Sequence, residues 1–193
     1  MATRLDAGAL NQLFLEARTH RAWVAREVPD SVLQELVELM KMGPTASNTL
    51  PARLVFVKSK AAKERLRPHL NEGNRDKTMA APVCVIVGYD LKFFERLPKG
   101  MQTVAGFDGK PEAALTAALR NSSLQGAYLI LAVRALGLDA GPMSGFDNAA
   151  VDKEFFAGTD IKSNFLCNIG YGDAAALRPR GPRFVFGEMA QIL

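Results

Sequence analysis

The 193-residue chain predicts an α+β fold, and three observations carry that expectation. Segments with apolar residues at helical spacing alternate with short, continuous β-branched runs, the pattern of helices packed on a sheet. Apolar residues make up 48% of the chain and charged residues 23%, enough apolar surface for one core and too much for disorder. No internal repeat, linker or composition break divides residues 1–193, so they read as a single domain.

The elements follow in order. Leu10, Leu13, Phe14 and Ala17 mark a first amphipathic helix that would carry Arg18 and Arg21 one turn apart near its end. Ser31 with Gln34 forms a capping box for a second helix, whose apolar face is Val32, Leu33, Leu36, Val37 and Met40. Gly43-Pro44 stops it. A strand is expected over 54–57, then a charged helix over 60–70. The run 83–87 is continuous and β-branched, the signature of a central strand. Residues 97–110 hold one Pro and three Gly and read as an excursion. Pro111 opens a helix running to about 136, roughly 39 Å long. Its apolar residues go nearly all the way round, and Ala113, Ala114, Ala117, Ala118, Gly126 and Ala127 keep it slim. Such a helix is expected to be buried on most sides, in a large core or against a second subunit. A short helix over 148–156 and a strand over 164–171 complete the fold, and the tail from Ala174 carries Arg178, Arg180 and Arg183.

Several function classes lack their signals. The formal net charge of +4 invites an anionic partner, but the arginines are dispersed and few aromatics lie beside them, which speaks against nucleic acid. No apolar run is long enough to span a membrane, and no secretory signal opens the chain. Cys84 and Cys167 sit in apolar runs and read as reduced core residues of a cytoplasmic protein. His20 and His69 have no partners at metal-ligand spacing, so no metal is expected. No G-x-G-x-x-G follows a strand, which argues against a Rossmann site. The loop 106–110 fails the phosphate-loop spacing, and 141–145 misses the nucleophile elbow by one residue.

Four segments at element boundaries concentrate polar, Gly or Pro residues. Arg18-Thr19-His20-Arg21 offers two guanidiniums and a hydroxyl to an oxyanion such as phosphate, and also reads as a solvated helix face. Residues 44–51, which include Ser47 and Asn48, have the chemistry of a structured loop or an ordinary turn. Asn74 and Lys77 stand three residues apart and can face one ligand, or form part of a surface charge cluster. Gly141-Pro142-Met143-Ser144-Gly145 allows backbone N–H groups to approach a flat ligand, or makes a plain turn.

In their order along the chain, these segments resemble the flavin-dependent nitroreductase family over almost its whole length. Arg18-Thr19-x-Arg21 is similar to the family's N-terminal basic phosphate motif, 44–51 to its Pro-Ser/Thr-x-x-Asn-x-x-Pro loop, and Gly137-Leu138 with 142–147 to its Leu-Gly-Leu and Gly-Phe-Asp segment. Stretches 63–68, 94–98, 120–123, 141–147 and 168–173 resemble the malonic semialdehyde reductases of pyrimidine breakdown within that family.

The resemblance implies an FMN-binding domain with a central mixed or antiparallel sheet flanked by helices, and a long central helix in an intertwined homodimer. It implies NADH or NADPH as electron donor and reduction of malonic semialdehyde to 3-hydroxypropionate. The alternatives are a generalist nitroreductase or quinone reductase, or a non-catalytic flavin-binding protein. Arg18, Thr19 and Arg21 would hold the FMN phosphate, with Arg180 or Arg183 from the tail. Lys77 would support the electron-rich N1–C2=O edge electrostatically, with Arg21 also in reach, and Asn74 would pair with the pyrimidine edge. The Gly145 N–H, with Ser144, would bond the hydride-carrying N5, while Ser47 and Asn48 line the ring. No side chain is expected as nucleophile. Arg75 or Arg120 would meet a substrate carboxylate, and a lid over 97–110 would fit the family's variable substrate region.

Overall fold

The computed structural model describes residues 3–97 and 106–193. Its centre is a four-stranded antiparallel sheet in the order β1-β2-β4-β3, built from β1 (Ala52–Val57), β2 (Val83–Asp90), β3 (Asp139–Met143) and β4 (Ile161–Gly170). All three pairings between these strands are antiparallel, which resolves the mixed-or-antiparallel expectation, and one parallel bridge joins Thr19 to Ala140 at the β3 edge.

The continuous apolar run of β2 has a simple cause. Val83, Val85 and Val87 enter one core with Leu33, Leu36, Met40, Leu129 and Val133. The alternating Cys84 and Ile86 enter a second core with Leu66, Leu70, Val151 and Phe156. Both faces of the sheet are therefore covered, so period-2 alternation disappears. The first core lies under α2 (Asp30–Met40) and α5 (Pro111–Ala135), and the second lies under α3 (Lys60–Leu66) and α6 (Asn148–Phe155). Gly126 lets α5 lie close to the sheet, because a Cβ there would meet the Phe165 ring at 2.5 Å.

Four sequence expectations change. The first helix is shorter: α1 (Ala7–Leu10), capped by the Asp6 carboxylate accepting from Ala9 N–H at 2.7 Å, passes into a π-helical turn over Asn11–Leu15. Arg18 and Arg21 thus lie beyond it, in a segment whose backbone pairs instead with the sheet, Thr19 against Ala140 and Trp23 against Gly172. The α2 helix starts at Asp30 after Pro29, leaving Ser31 inside the first turn and unable to cap it. The Asn74–Lys77 cluster ahead of β2, for which no element is expected, sits on a helix, α4 (Glu72–Ala80), with only Thr78 buried among its residues. Residues 139–143 form an edge strand that takes in the first half of the stretch 141–145, one reading of which is a turn; Pro142 is tolerated there because its missing N–H faces outward, away from β4, as the Ala140 carbonyl does.

The long helix is as long as expected, and within one chain one of its faces stays uncovered. Ala114, Ala118, Gln125, Leu129 and Val133 face the core, while Leu115, Leu119, Leu124 and Tyr128 are 39–46% exposed. Of the stretch 97–110, where a lid would fit the family, residues 98–105 lie outside the described residues. Among the described residues, no helix is long and apolar enough to cross a membrane.

Candidate cofactor site

The outer edge of β3 is where separate parts of the sequence converge. The segment 18–24 lies against it, with His20 N–H donating to the Ala140 carbonyl at 3.2 Å and Val24 N–H to the Tyr171 carbonyl at 2.8 Å. Gly141 permits this approach, since a Cβ there would lie 2.6 Å from the His20 carbonyl oxygen. His20 is buried, with Nε2 3.3 Å from an Asp139 carboxylate oxygen, and so serves the docking of this segment.

Beyond β3, Ser144 and Gly145 lead towards α6 and lie against the start of α4. The Gly145 carbonyl accepts from Asn71 N–H at 3.1 Å and from Asn74 Nδ2 at 2.7 Å. Among the described residues the Gly145 N–H donates to no acceptor. A Cβ at Gly145 would lie 2.6 Å from Asn74 Nδ2, so only glycine keeps both groups where they are. One turn along α4 from Asn74 stands Lys77. Burial, and then the nearby Arg21 guanidinium, hold its pKa below the ordinary lysine value. Among the described residues no carboxylate pairs with Arg21 or Lys77. The start of α4 and the segment that docks on β3 thus offer two cations without an ion-pair partner among the described residues, a side-chain amide and an unpaired backbone N–H. That donor set fits an anionic, electron-rich planar group.

The remaining expected residues divide. Arg18 donates through Nη2 to the Arg178 carbonyl, and Arg180 donates to the Leu15 and Ala17 carbonyls at 2.8 and 3.1 Å. The tail is thereby laid along the N-terminal segment, bringing Arg180 towards Arg18 and Thr19. Arg183 bonds only its neighbours' carbonyls, those of Gly181 and Pro182. Arg75 is tied to the Leu70 carbonyl at 3.0 Å, and Arg120 is exposed on α5; no hydrogen bond joins either to Lys77 or Gly145 among the described residues.

Ser47 and Asn48 lie elsewhere. Their loop belongs to the β1 end of the sheet, where Asn121 Oδ1 accepts from Ala46 N–H at 2.8 Å and Gln125 Oε1 from Ala52 N–H at 2.9 Å. Ser47, Asn48 and Leu50 all hold positive φ, 50°, 52° and 44°, a conformation non-glycine residues adopt only when surroundings impose it. Because β1 and β3 are opposite edges, three strand spacings, about 14 Å, separate the two groups across the sheet.

Sequence reasoning missed Trp23, Asn71 and Asn168, whose roles arise from tertiary contacts. Trp23 Nε1 donates to the Lys77 carbonyl at 3.1 Å, and Asn168 Nδ2 to the same carbonyl at 3.4 Å and to Thr78 Oγ1 at 3.2 Å. A lone amide inside the apolar run 165–169 was the available signal for Asn168. A separate cavity of about 600 Å³ is lined by Arg26, Glu27, Lys58 and Lys63. Its cations are already engaged, Lys58 by Glu27 and Asp30 at 2.8 Å each and Lys63 by the Ala81 carbonyl.

Residues 15–172 match the model of the nitroreductase family, and the chain belongs to that family. A Stenotrophomonas maltophilia protein with the provisional name NADH dehydrogenase/NAD(P)H nitroreductase is 63% identical over 195 residues, covering all of both chains. The crystal structure of a provisionally named nitroreductase, ydfN, from Bacillus subtilis superposes with a TM-score of 0.87 at 22% identity, covering 97% of this chain and all of that one. A provisionally named nitroreductase from Exiguobacterium sibiricum, solved in complex with FMN, gives a TM-score of 0.81 at 18% identity over the full length of both. At those identities the structural likeness is one of fold.

Proposed function

We propose that the protein is an FMN-dependent NAD(P)H oxidoreductase acting on malonic semialdehyde, with residues 1–193 as one FMN-binding domain. The observation that carries the cofactor is the unpaired Gly145 N–H held against Asn74 on α4, with Lys77 one turn further along that helix and neither Lys77 nor Arg21 ion-paired among the described residues. FMN, when bound, supplies hydride transfer between the nicotinamide donor and the second substrate.

The chain's own residues do the rest. Lys77 and Arg21 face the ring edge where negative charge grows on reduction, and favour the reduced state there. Asn74 offers its amide to the pyrimidine edge, and Gly145 N–H with Ser144 holds the hydride-carrying atom. Arg18, Thr19 and Arg180 or Arg183 neutralise the phosphate. Arg75 or Arg120 is assigned to the substrate carboxylate.

The functional unit in this reading is a homodimer in which the Ser47–Asn48 loop of one protomer completes the ring site of the other. Two facts support it: the two groups occupy opposite edges of one chain's sheet, and α5 leaves Leu115, Leu119, Leu124 and Tyr128 uncovered. Cys84 and Cys167 are buried free thiols, in keeping with a reducing cytoplasm.

The substrate rests on the stretches 63–68, 94–98, 120–123, 141–147 and 168–173 alone, and a screen of the reduced enzyme tests it. Malonic semialdehyde is expected to reoxidise the flavin faster than nitroaromatics or quinones. The reverse order replaces the substrate with the generalist nitroreductase or quinone reductase reading suggested by the relatives' names.

A further inference from the structure

We propose that Trp23 is the positioning residue that holds Lys77 beside Arg21; this rests on the FMN reading. The segment carrying Arg21 and the helix carrying Lys77 are far apart in sequence, and their cations repel. Among the described residues, one side-chain hydrogen bond joins the two, from Trp23 Nε1 to the Lys77 carbonyl at 3.1 Å.

The indole is fixed from every side. Its ring occupies a slot over two glycines: a Cβ at Gly170 would lie 3.1 Å from Cε3, and one at Gly141 3.3 Å from Cζ2. The flanking backbone is pinned by Asp173 N–H on the Ala22 carbonyl at 3.0 Å and by Val24 N–H on the Tyr171 carbonyl at 2.8 Å. Asn168 supports the same Lys77 carbonyl from the sheet, so that carbonyl is set from below and from the side. An indole N–H is a donor only, and its single bond here is spent on the backbone of the residue whose ammonium faces the ligand. The cation pair is thus preorganised before an anion arrives, and the repulsion is offset by contacts that Trp23 makes elsewhere.

Because Trp23 is the only tryptophan, biosynthetic replacement by its benzothiophene analogue removes the N–H alone and keeps the ring's shape. That variant and Trp23→Phe are compared in the wild-type and Lys77→Met backgrounds, reading FMN dissociation constant and flavin midpoint potential. In the wild-type background either change is expected to weaken FMN roughly 5-fold and lower the potential. In Lys77→Met the same change is expected to alter affinity less than about 2-fold and leave the potential unmoved. Equal losses in both backgrounds overturn the positioning role, as does an analogue-labelled protein that matches wild type. Failure of the wild-type protein to bind FMN overturns the underlying reading and the assignment with it. The benzothiophene protein keeps the test decisive if Trp23→Phe does not fold.

Discussion

Gly141→Ala tests whether the basic segment 18–24 owes its position to a close backbone approach. The new Cβ would lie 2.6 Å from the His20 carbonyl oxygen, and ordinary contact begins at 3.4 Å, so the segment must retreat by about 0.8 Å. The His20 N–H to Ala140 carbonyl bond, already 3.2 Å, then opens to about 4 Å and is lost. Losing one backbone bond costs about 1 kcal/mol, and the overpacking adds about 1–3, so the variant is expected to be less stable by about 2–4 kcal/mol. The same retreat carries Arg21 away from Lys77, so FMN affinity should fall at least severalfold in protein that is still folded. Urea unfolding gives the first number and FMN titration the second. A loss below about 0.5 kcal/mol with unchanged FMN binding would refute the reasoning, because the segment would then be docked by something other than this approach.

Lys77→Met removes a cation that burial and Arg21 both disfavour, so the FMN-free protein should melt no lower than wild type, while FMN binds about tenfold more weakly and the flavin potential drops. A lower melting temperature with unchanged affinity would show Lys77 to be structural. Asp90 is fully buried and receives Arg53 Nη2 and Arg96 Nη1 at 3.0 Å each, so Asp90→Asn should cost about 2–4 kcal/mol by denaturant unfolding. Burial pushes the Cys167 thiol up to about 12 and the Cys84 thiol higher still, from an ordinary 9.0. Above pH 9 the unfolded state therefore binds fewer protons than the folded one, and stability should fall by about 1.4 kcal/mol per thiol per pH unit. Neither thiol should react with a disulfide reagent near neutral pH until denaturant is added; prompt labelling of the native protein would contradict their burial.

What the sequence disclosed follows from where each signal is made. The run 83–87 was legible because burial on both sheet faces leaves an unbroken apolar stretch, and α5 because Pro111 opens a long helical pattern. The α4 helix was not, because Glu72–Ala80 buries only Thr78 and so carries no apolar period. Gly141 and Pro142 disguised β3, since an edge strand tolerates residues a central one does not. The N-terminal helical run ends at Leu15, short of what the apolar spacing predicts, because Thr19 and Trp23 are taken into sheet bridges that local periodicity cannot register. Within the candidate site, the Asn74 amide meets the Gly145 carbonyl, and Arg21 lies near enough to Lys77 to lower its pKa. Trp23 and Asn168, which fix the backbone of Lys77, act through contacts 54 and 91 residues away in sequence and left no local pattern.

In the proposed reading, this cation-lined edge holds FMN and lets it cycle between NAD(P)H and a small carbonyl substrate. Anaerobic stopped-flow mixing of the FMN-loaded protein with NADH and with NADPH tests it most directly. At least one of the two is expected to bleach the flavin absorption band within turnover time, with the colour returning on addition of malonic semialdehyde. A flavin band that neither nucleotide bleaches would contradict the reductase account and leave a flavin-binding protein without this chemistry.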